Sequence, residues 1–270
     1  MSDRYFVPDA TTTGADFNVT NRWSASNGGA GGASVPGTSD TAYILSGNNV
    51  ITSSTTHTVN TLVVGPGSSN VFGAAGASLY VGGTNINYAG QGSYAYLNGS
   101  WSGTAAIDDT GAGTLSFTGG TPAVLNCGPN GTIVLQATAG SPTTARSAGM
   151  RMVIGQSTSA ITTLTVYGVL ELGRPAQSLN IGSRGNATFV ATATGTVCTT
   201  MTVYGGGSMS DRSVGDKATV EVQPGGNYSA ADAKSPFTIS TARQWAGATI
   251  NTAGKGVTIT VSSRDPIGTK

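Results

Sequence analysis

A seven-residue phrase occurs twice in this chain, and it limits the possible folds more than any other feature. Residues 162–168 read TTLTVYG and residues 199–205 read TTMTVYG, so the second copy begins 37 residues after the first. Similar strands recur along most of the chain at about half that interval, roughly 18–20 residues. Repetition of this kind predicts one structural unit that is built many times over.

The recurring strands are short, rich in β-branched or aromatic residues, and ended by Gly, Pro or Asn. Most steps between them are about 17–20 residues, but the step from Phe189 to Met201 is short. The apolar markers of the series are Leu62/Val64, Leu79/Val81, Leu97, Leu115/Phe117, Ile133/Leu135, Met152/Ile154, Leu170/Leu172, Phe189, Met201/Val203, Val220/Val222, Ile239 and Ile259.

Within one repeat the side chains alternate between two faces. Leu164 and Val166 share one face, whereas Thr163, Thr165 and Tyr167 share the other. A strand, a glycine corner and another strand at constant spacing predict an all-β, parallel β-solenoid whose stacked coils form a continuous core. A β-sandwich or jelly roll is the alternative, because it also shows closely spaced strands. The constant interval favours the solenoid.

Three segments are expected along the chain. Residues 1–40 form an N-terminal arm or cap, because they hold the glycine-rich stretch 27–34, which is typical of a loop or of an arm that orders against another surface. Residues 41–263 form the solenoid body. Residues 264–270 form a C-terminal tail.

Charge and hydropathy exclude several classes of protein. The formal charge is +1 with only 9% charged residues, and the missing basic stripe argues against nucleic-acid binding. No apolar run approaches the roughly 20 residues that a membrane span needs. The N-terminus lacks a basic segment followed by an apolar core, so we expect no secretory signal. The protein is expected to be made in a cytoplasm and to stay there or leave inside a larger particle.

Few residues suggest catalysis. The one histidine, His57, lies in a strand without a nucleophile beside it. Polysaccharide-cleaving enzymes use paired carboxylates, but Asp108 and Asp109 are adjacent and suit a turn. The other carboxylates considered are Glu171 and Glu221, on outward positions of separate coils, and Asp211 and Asp216, at a corner expected to be solvated. We therefore expect no catalytic residue, no cofactor and no enzyme activity.

Cysteines and aromatic residues complete the candidates. Cys127 and Cys198 lie in strand contexts without a neighbouring His or Cys, so we expect buried free thiols and no metal site. Tyr94, Tyr96 and Trp101 suit a stacked core, with a sugar-binding platform as the alternative.

The N-terminal segment resembles a known opening. Arg4-Tyr-Phe-Val7, followed by the Trp-Ser, glycine-rich and Pro-x-x-x-Asp-x-Ala-x-Ile stretch of residues 23–44, resembles the start of tailed-phage structural proteins and prophage-borne surface proteins, in which β-solenoid coils follow. No catalytic residue belongs to the pattern. The resemblance covers about 45 residues.

What this resemblance implies is a non-enzymatic bacteriophage virion protein. We expect a capsid decoration or cement protein, present in the virion and made in the host cytoplasm. Its implied partners are other virion proteins, foremost the major capsid protein, and further copies of itself, with Arg4, Tyr5, Phe6 and Trp23 as contact residues. A tail-fibre or adhesin module that binds host glycans and a polysaccharide depolymerase are the alternatives.

Overall fold

The computed structural model shows an all-β protein. It describes residues 2–7, 15–52, 57–72, 79–88, 95–97, 106–109, 114–117, 122, 124–233, 235–253 and 256–264. The chain divides into two compact units, Met1–Gly140 and Ser141–Lys270. Within the described residues, the 3₁₀ turn Thr20–Arg22 is the one helical element, and no helix there is long and apolar enough to cross a bilayer.

The first unit contains parallel strands in two sheets. The first sheet has the order β10-β8-β6-β5-β4-β1-β3, with β2 beside β4, and the second has the order β11-β9-β7. The β1–β3 pair is antiparallel. The strands of this unit are β1 (Asp3–Phe6), β2 (Ala15–Asp16), β3 (Trp23–Ser24), β4 (Thr41–Thr52), β5 (His57–Phe72), β6 (Leu79–Tyr88), β7 (Ala95–Leu97), β8 (Ala106–Asp109), β9 (Thr114–Phe117), β10 (Val124–Cys127) and β11 (Thr132–Leu135).

In the second unit, successive strands alternate between the two sheets. The first sheet has the order β24-β22-β20-β18-β16-β14-β12 and the second β23-β21-β19-β17-β15-β13. These strands are β12 (Thr144–Ser147), β13 (Arg151–Ile154), β14 (Ile161–Val166), β15 (Val169–Leu172), β16 (Ala176–Ile181), β17 (Asn186–Phe189), β18 (Thr196–Val203), β19 (Ser208–Asp211), β20 (Asp216–Val222), β21 (Asn227–Ser229), β22 (Phe237–Gln244), β23 (Thr249–Asn251) and β24 (Val257–Arg264).

This alternation produces the predicted β-solenoid. Each coil contributes one strand to each sheet, and each strand pairs in parallel with its counterpart in the next coil, as β14 does with β16 and β15 with β17. The sandwich alternative is wrong, because a sandwich of this kind is built from antiparallel sheets.

The core of the second unit is made by inward positions that align from coil to coil. Leu164, Leu179, Met201 and Val220 are in register across four strands of the first sheet and are fully buried. Burial of each such side chain stabilises the fold by about 2 kcal/mol relative to exposure. The alternation predicted for β14 is therefore confirmed, with Thr163 and Thr165 pointing outward.

The short step in the sequence series has a structural cause. Phe189 lies in β17 of the second sheet, whereas Met201 lies in β18 of the first sheet. Within the second unit, the apolar markers from Met152 to Phe189 follow the second sheet, and those from Met201 onward follow the first. The series therefore changes sheets at this step. The coil itself is not short there, because Met201 pairs with Leu179, 22 residues earlier.

An aromatic cluster forms the N-terminal cap of the first unit. Trp23 is fully buried, and its indole N–H donates to the carbonyl of Phe17 at 2.8 Å. Its ring packs edge-on against Phe6 and Phe17, with centroid distances of 5.4 and 4.8 Å. The side chain of Arg4 donates to the hydroxyl of Ser34 at 2.9 Å, which ties the end of the glycine-rich stretch to β1. This stretch thus orders against the chain itself.

Candidate functional site

The surface carboxylates of the second unit are held by neighbouring side chains. Glu171 lies 3.3 Å from the guanidinium of Arg151. Glu221 accepts a hydrogen bond from the indole N–H of Trp245 at 2.9 Å and another from the side-chain amide of Gln223. The structure gives these two carboxylates separate partners and does not bring them together as the pair that a glycosidase mechanism requires.

The remaining catalytic candidates give no assembled centre in the part of the chain that the structure describes. Asp216 accepts a hydrogen bond from the backbone N–H of Thr238 at 2.7 Å. Asp108 and Asp109 are consecutive in β8, and His57 begins β5, but their side chains lie outside the described residues. Across the described residues, no three His, Cys, Asp or Glu side chains are grouped so that they could hold a metal ion.

Two predicted aromatic candidates, Tyr94 and Trp101, lie outside the described residues. Tyr96 belongs to β7, where only its backbone is described. Both cysteines are confirmed as buried free thiols. Burial raises the pKa of the Cys198 thiol to about 12, so this group stays protonated and unreactive near neutral pH.

A buried ionic network occupies the corner between β19 and β20. One carboxylate oxygen of Asp211 lies 2.9 Å from the ammonium of Lys217, and neither side chain has exposed surface. The same oxygen accepts a hydrogen bond from the Tyr228 hydroxyl at 2.7 Å. The other oxygen accepts from the backbone N–H and the hydroxyl of Ser213, at 3.0 and 2.7 Å. The ammonium also donates to Ser213 and to the carbonyl of Gly215, at 2.5 and 2.8 Å.

The surroundings of this network show why it is structural. The Lys217 ammonium lies 3.3 Å from the ring centroid of Phe237, and burial lowers its pKa although Asp211 opposes the shift. Burial, together with Asp211, raises the pKa of Tyr228 well above its usual value, so the phenol keeps its proton and donates a hydrogen bond to the carboxylate. The expectation of a solvated corner at Asp211 is therefore wrong. The loop turns inward because its charges satisfy one another.

The four predicted partner contacts separate into two groups. Phe6 and Trp23 are buried in the cap, where they leave little or no surface for a partner. Arg4 and Tyr5 keep part of their surface exposed. Tyr5 stacks on Tyr43, with ring centroids 4.8 Å apart, and both line a groove of about 230 Å³ whose other wall is the glycine-rich stretch.

A second groove lies on the outside of the second unit, where β14, β16 and β18 end. Its walls are the rings of Tyr167 and Tyr204, which are 44% and 45% exposed. Gly182 occupies the equivalent corner of the coil between them. The groove has a volume of about 460 Å³, and Thr165, Asn180 and Ser183 complete its lining. None of these six residues is charged. Both tyrosines belong to the seven-residue phrase that occurs twice in the sequence, and this phrase is the sequence signal that marks them.

No protein-family model, curated protein or solved structure matches this chain.

Proposed function

We propose that this chain is a non-enzymatic virion structural protein of a tailed bacteriophage, and specifically a capsid decoration protein that stabilises the head. The observation that carries the proposal is the placement of the N-terminal residues that resemble the start of tailed-phage structural proteins. Phe6 and Trp23 close the end of the solenoid, while Tyr5 stays at the surface beside a groove. This arrangement fits a stiff body with a docking end.

The groove beside the cap suits a segment of another protein. The stacked rings of Tyr5 and Tyr43 give it an apolar wall that is already rigid, so binding needs little further ordering of side chains. The opposite wall comes from Ser26, Asn27 and two glycines, whose polar backbone groups can pair with an extended chain. We propose a segment of the major capsid protein as the occupant.

The solenoid body supports this role because its stability comes from contacts between neighbouring coils. A decoration protein acts by binding the assembled shell and not the dissociated subunits, and such binding stabilises the shell by mass action. At a free concentration of one hundred times Kd, the gain is about 2.7 kcal/mol for each site. Many copies on one particle multiply the effect, and no catalytic centre is needed.

The test uses undecorated capsids of the phage whose genome encodes the chain. We expect the purified protein to co-sediment with these capsids and to raise their melting temperature. Tyr5→Ala removes one wall of the cap groove and should weaken attachment by about tenfold, or 1.4 kcal/mol. Met150→Ala, at an exposed position of the second unit (68%), is the matched control and should attach normally.

Two results would contradict the proposal. If the protein neither attaches nor stabilises the capsid, it is not a decoration protein. If it attaches but Tyr5→Ala behaves like Met150→Ala, the docking surface lies elsewhere.

A further inference from the structure

Three aromatic side chains of the second unit occupy equivalent corner positions in alternate coils. Tyr167, Tyr204 and Trp245 each directly follow a strand of the first sheet, namely β14, β18 and β22. The ends of β14, β16, β18, β20 and β22 are in register, so the corner residues of five successive coils form one row. In order, this row is Tyr167, Gly182, Tyr204, Gln223 and Trp245.

The row presents an aromatic ring to solvent at a regular interval. Neighbouring strands in a sheet lie about 4.8 Å apart, so equivalent atoms in alternate coils are about 9.6 Å apart. Tyr167 and Tyr204 are each close to half exposed, and Trp245 is 37% exposed. Three large exposed rings in one line are uncommon on a surface that has no partner.

Side-chain contacts fix the two ends of the row. The guanidinium of Arg146 lies over the ring of Tyr167, 5.4 Å from its centroid. The indole N–H of Trp245 donates to Glu221, which orients that ring. These charged groups lie beside the aromatic rings and outside the lining of the groove between Tyr167 and Tyr204.

The groove depends on the glycine in the middle coil. The ring of Tyr167 lies so close to the Gly182 backbone that a Cβ atom at Gly182 would be 2.5 Å from the ring. Only glycine at this position leaves room for the ring of Tyr167 and keeps the space beside the ring open. Gln223 occupies the equivalent position between Tyr204 and Trp245, and its side chain, which donates to Glu221, takes up the space there. The space between Tyr167 and Tyr204 is therefore the open one.

The lining has the chemistry that recognises a sugar. A pyranose ring has an apolar C–H face, which packs on an aromatic ring, and hydroxyl groups at its edge. Thr165 and Ser183 offer hydroxyls that donate and accept, and Asn180 offers an amide that does both. A volume of about 460 Å³ is within the range of small-molecule sites. Because no lining residue is charged, the groove favours a neutral ligand.

We propose that this corner row binds a neutral glycan chain that runs from coil to coil. One sugar unit lies in the groove between Tyr167 and Tyr204, and alternate units along the chain stack on the row of rings up to Trp245. An extended glycan with a two-sugar repeat has a period close to the separation of alternate coils. The site goes beyond the proposed function, since a decoration protein needs only its capsid, and it also suits a tail-fibre position.

The experiment is a binding screen on an array of bacterial surface polysaccharides and oligosaccharides, both neutral and acidic. Titration calorimetry with the best neutral hexasaccharide then measures Kd for the full chain and its variants. We expect a neutral glycan to bind, and Tyr204→Ala to weaken binding by about tenfold. Gly182→Ala should also weaken binding, because the new Cβ displaces the ring of Tyr167 without removing any aromatic group.

A matched variant tests whether the loss of binding is specific to the groove. Val169→Ala changes an apolar residue of the same exposure, 43%, that does not line the groove, and it should bind like the unmodified chain. Circular dichroism and melting curves verify that each variant is folded. The proposal is overturned if no neutral glycan binds, if only acidic glycans bind, or if Tyr204→Ala binds as tightly as Val169→Ala. Capsid attachment of Tyr204→Ala separates this failure from failure of the decoration proposal, since that variant keeps the cap groove.

Discussion

Replacement of Lys217 by Met tests whether the ionic network is a buried structural element. Met has a similar length and can pack on the ring of Phe237, but it removes the charge, the cation–π contact with that ring and three hydrogen bonds. Asp211 is then left without a neighbouring cation. Its remaining donors are the two groups of Ser213 and the hydroxyl of Tyr228.

The expected cost follows from the burial of the pair. Removal of one partner from a fully buried ion pair destabilises a protein by about 3–5 kcal/mol, because the other charge stays in a medium of low polarity. Three hydrogen-bond donors still stabilise the Asp211 carboxylate, so we expect the free energy of unfolding to fall by an amount near the lower limit, about 3 kcal/mol. For a unit of this size, that corresponds to a fall of roughly 12 °C in melting temperature.

Scanning calorimetry and urea unfolding of the full chain measure the effect. Arg151→Met is the matched control, since it breaks an ion pair with Glu171 whose side chains are 58% and 47% exposed. Solvent weakens such a pair, and we expect a cost below about 1 kcal/mol. The double variant Lys217→Met with Asp211→Asn should be more stable than the sum of the single effects predicts, by about 1–3 kcal/mol.

Two results would refute this reasoning. If Lys217→Met costs no more than Arg151→Met, the ammonium is not buried beside a charge. If the double variant shows strict additivity, Asp211 and Lys217 do not interact, and the corner is held by other contacts.

Three further predictions concern stability. The pKa of the Cys198 thiol is raised in the fold, so above pH 9 the folded state keeps a proton that the unfolded state loses. The free energy of unfolding therefore falls as pH rises from about 9 towards 12. In urea titrations, the chain should lose about 2 kcal/mol between pH 8 and about 10.5 relative to Cys198→Ala. Trp23→Ala should cost about 3–5 kcal/mol by calorimetry, against about 1 kcal/mol or less for the exposed Trp245→Ala. Gly168→Ala, whose Cβ would overlap the backbone of the adjacent coil, should cost about 1–3 kcal/mol in melting curves, while Gly37→Ala, with only ordinary contact, should be close to neutral.

The fold could be predicted because each coil of a solenoid places the same requirements on residues that are close in sequence. Inward positions such as Leu164 and Met201 must be apolar in every coil, and glycines near strand ends, such as Gly168, must allow a neighbouring backbone to approach. Both requirements recur with the coil, so repetition alone reveals them. The repeat does not reveal which sheet a given strand joins, so the change of sheet between Phe189 and Met201 shows in the sequence only as a short step.

The ionic network could not be predicted from the sequence for a different reason. Asp211 and Lys217 lie in the strands that flank a short, mostly polar loop, and such corners are usually solvated. The partner that completes the network, Tyr228, is 17 residues away in the next coil and occupies an inward position that reads as core. Only the stacking of the coils shows that its hydroxyl reaches the carboxylate at 2.7 Å.

The corner row shows why a solenoid can acquire a binding surface at little structural cost. Inward positions are constrained by the core, but corner residues contact only the adjacent coils and solvent, so they can change without disturbing the core. Gly182 and Gln223 occupy the same kind of position between aromatic residues, yet one leaves a groove and the other fills it. Because Gln223 occupies the equivalent corner, the corner itself does not require a glycine. At Gly182 the ring of Tyr167 leaves no room for a Cβ, so the open groove depends on this contact between two coils, and the core beneath it is unaffected.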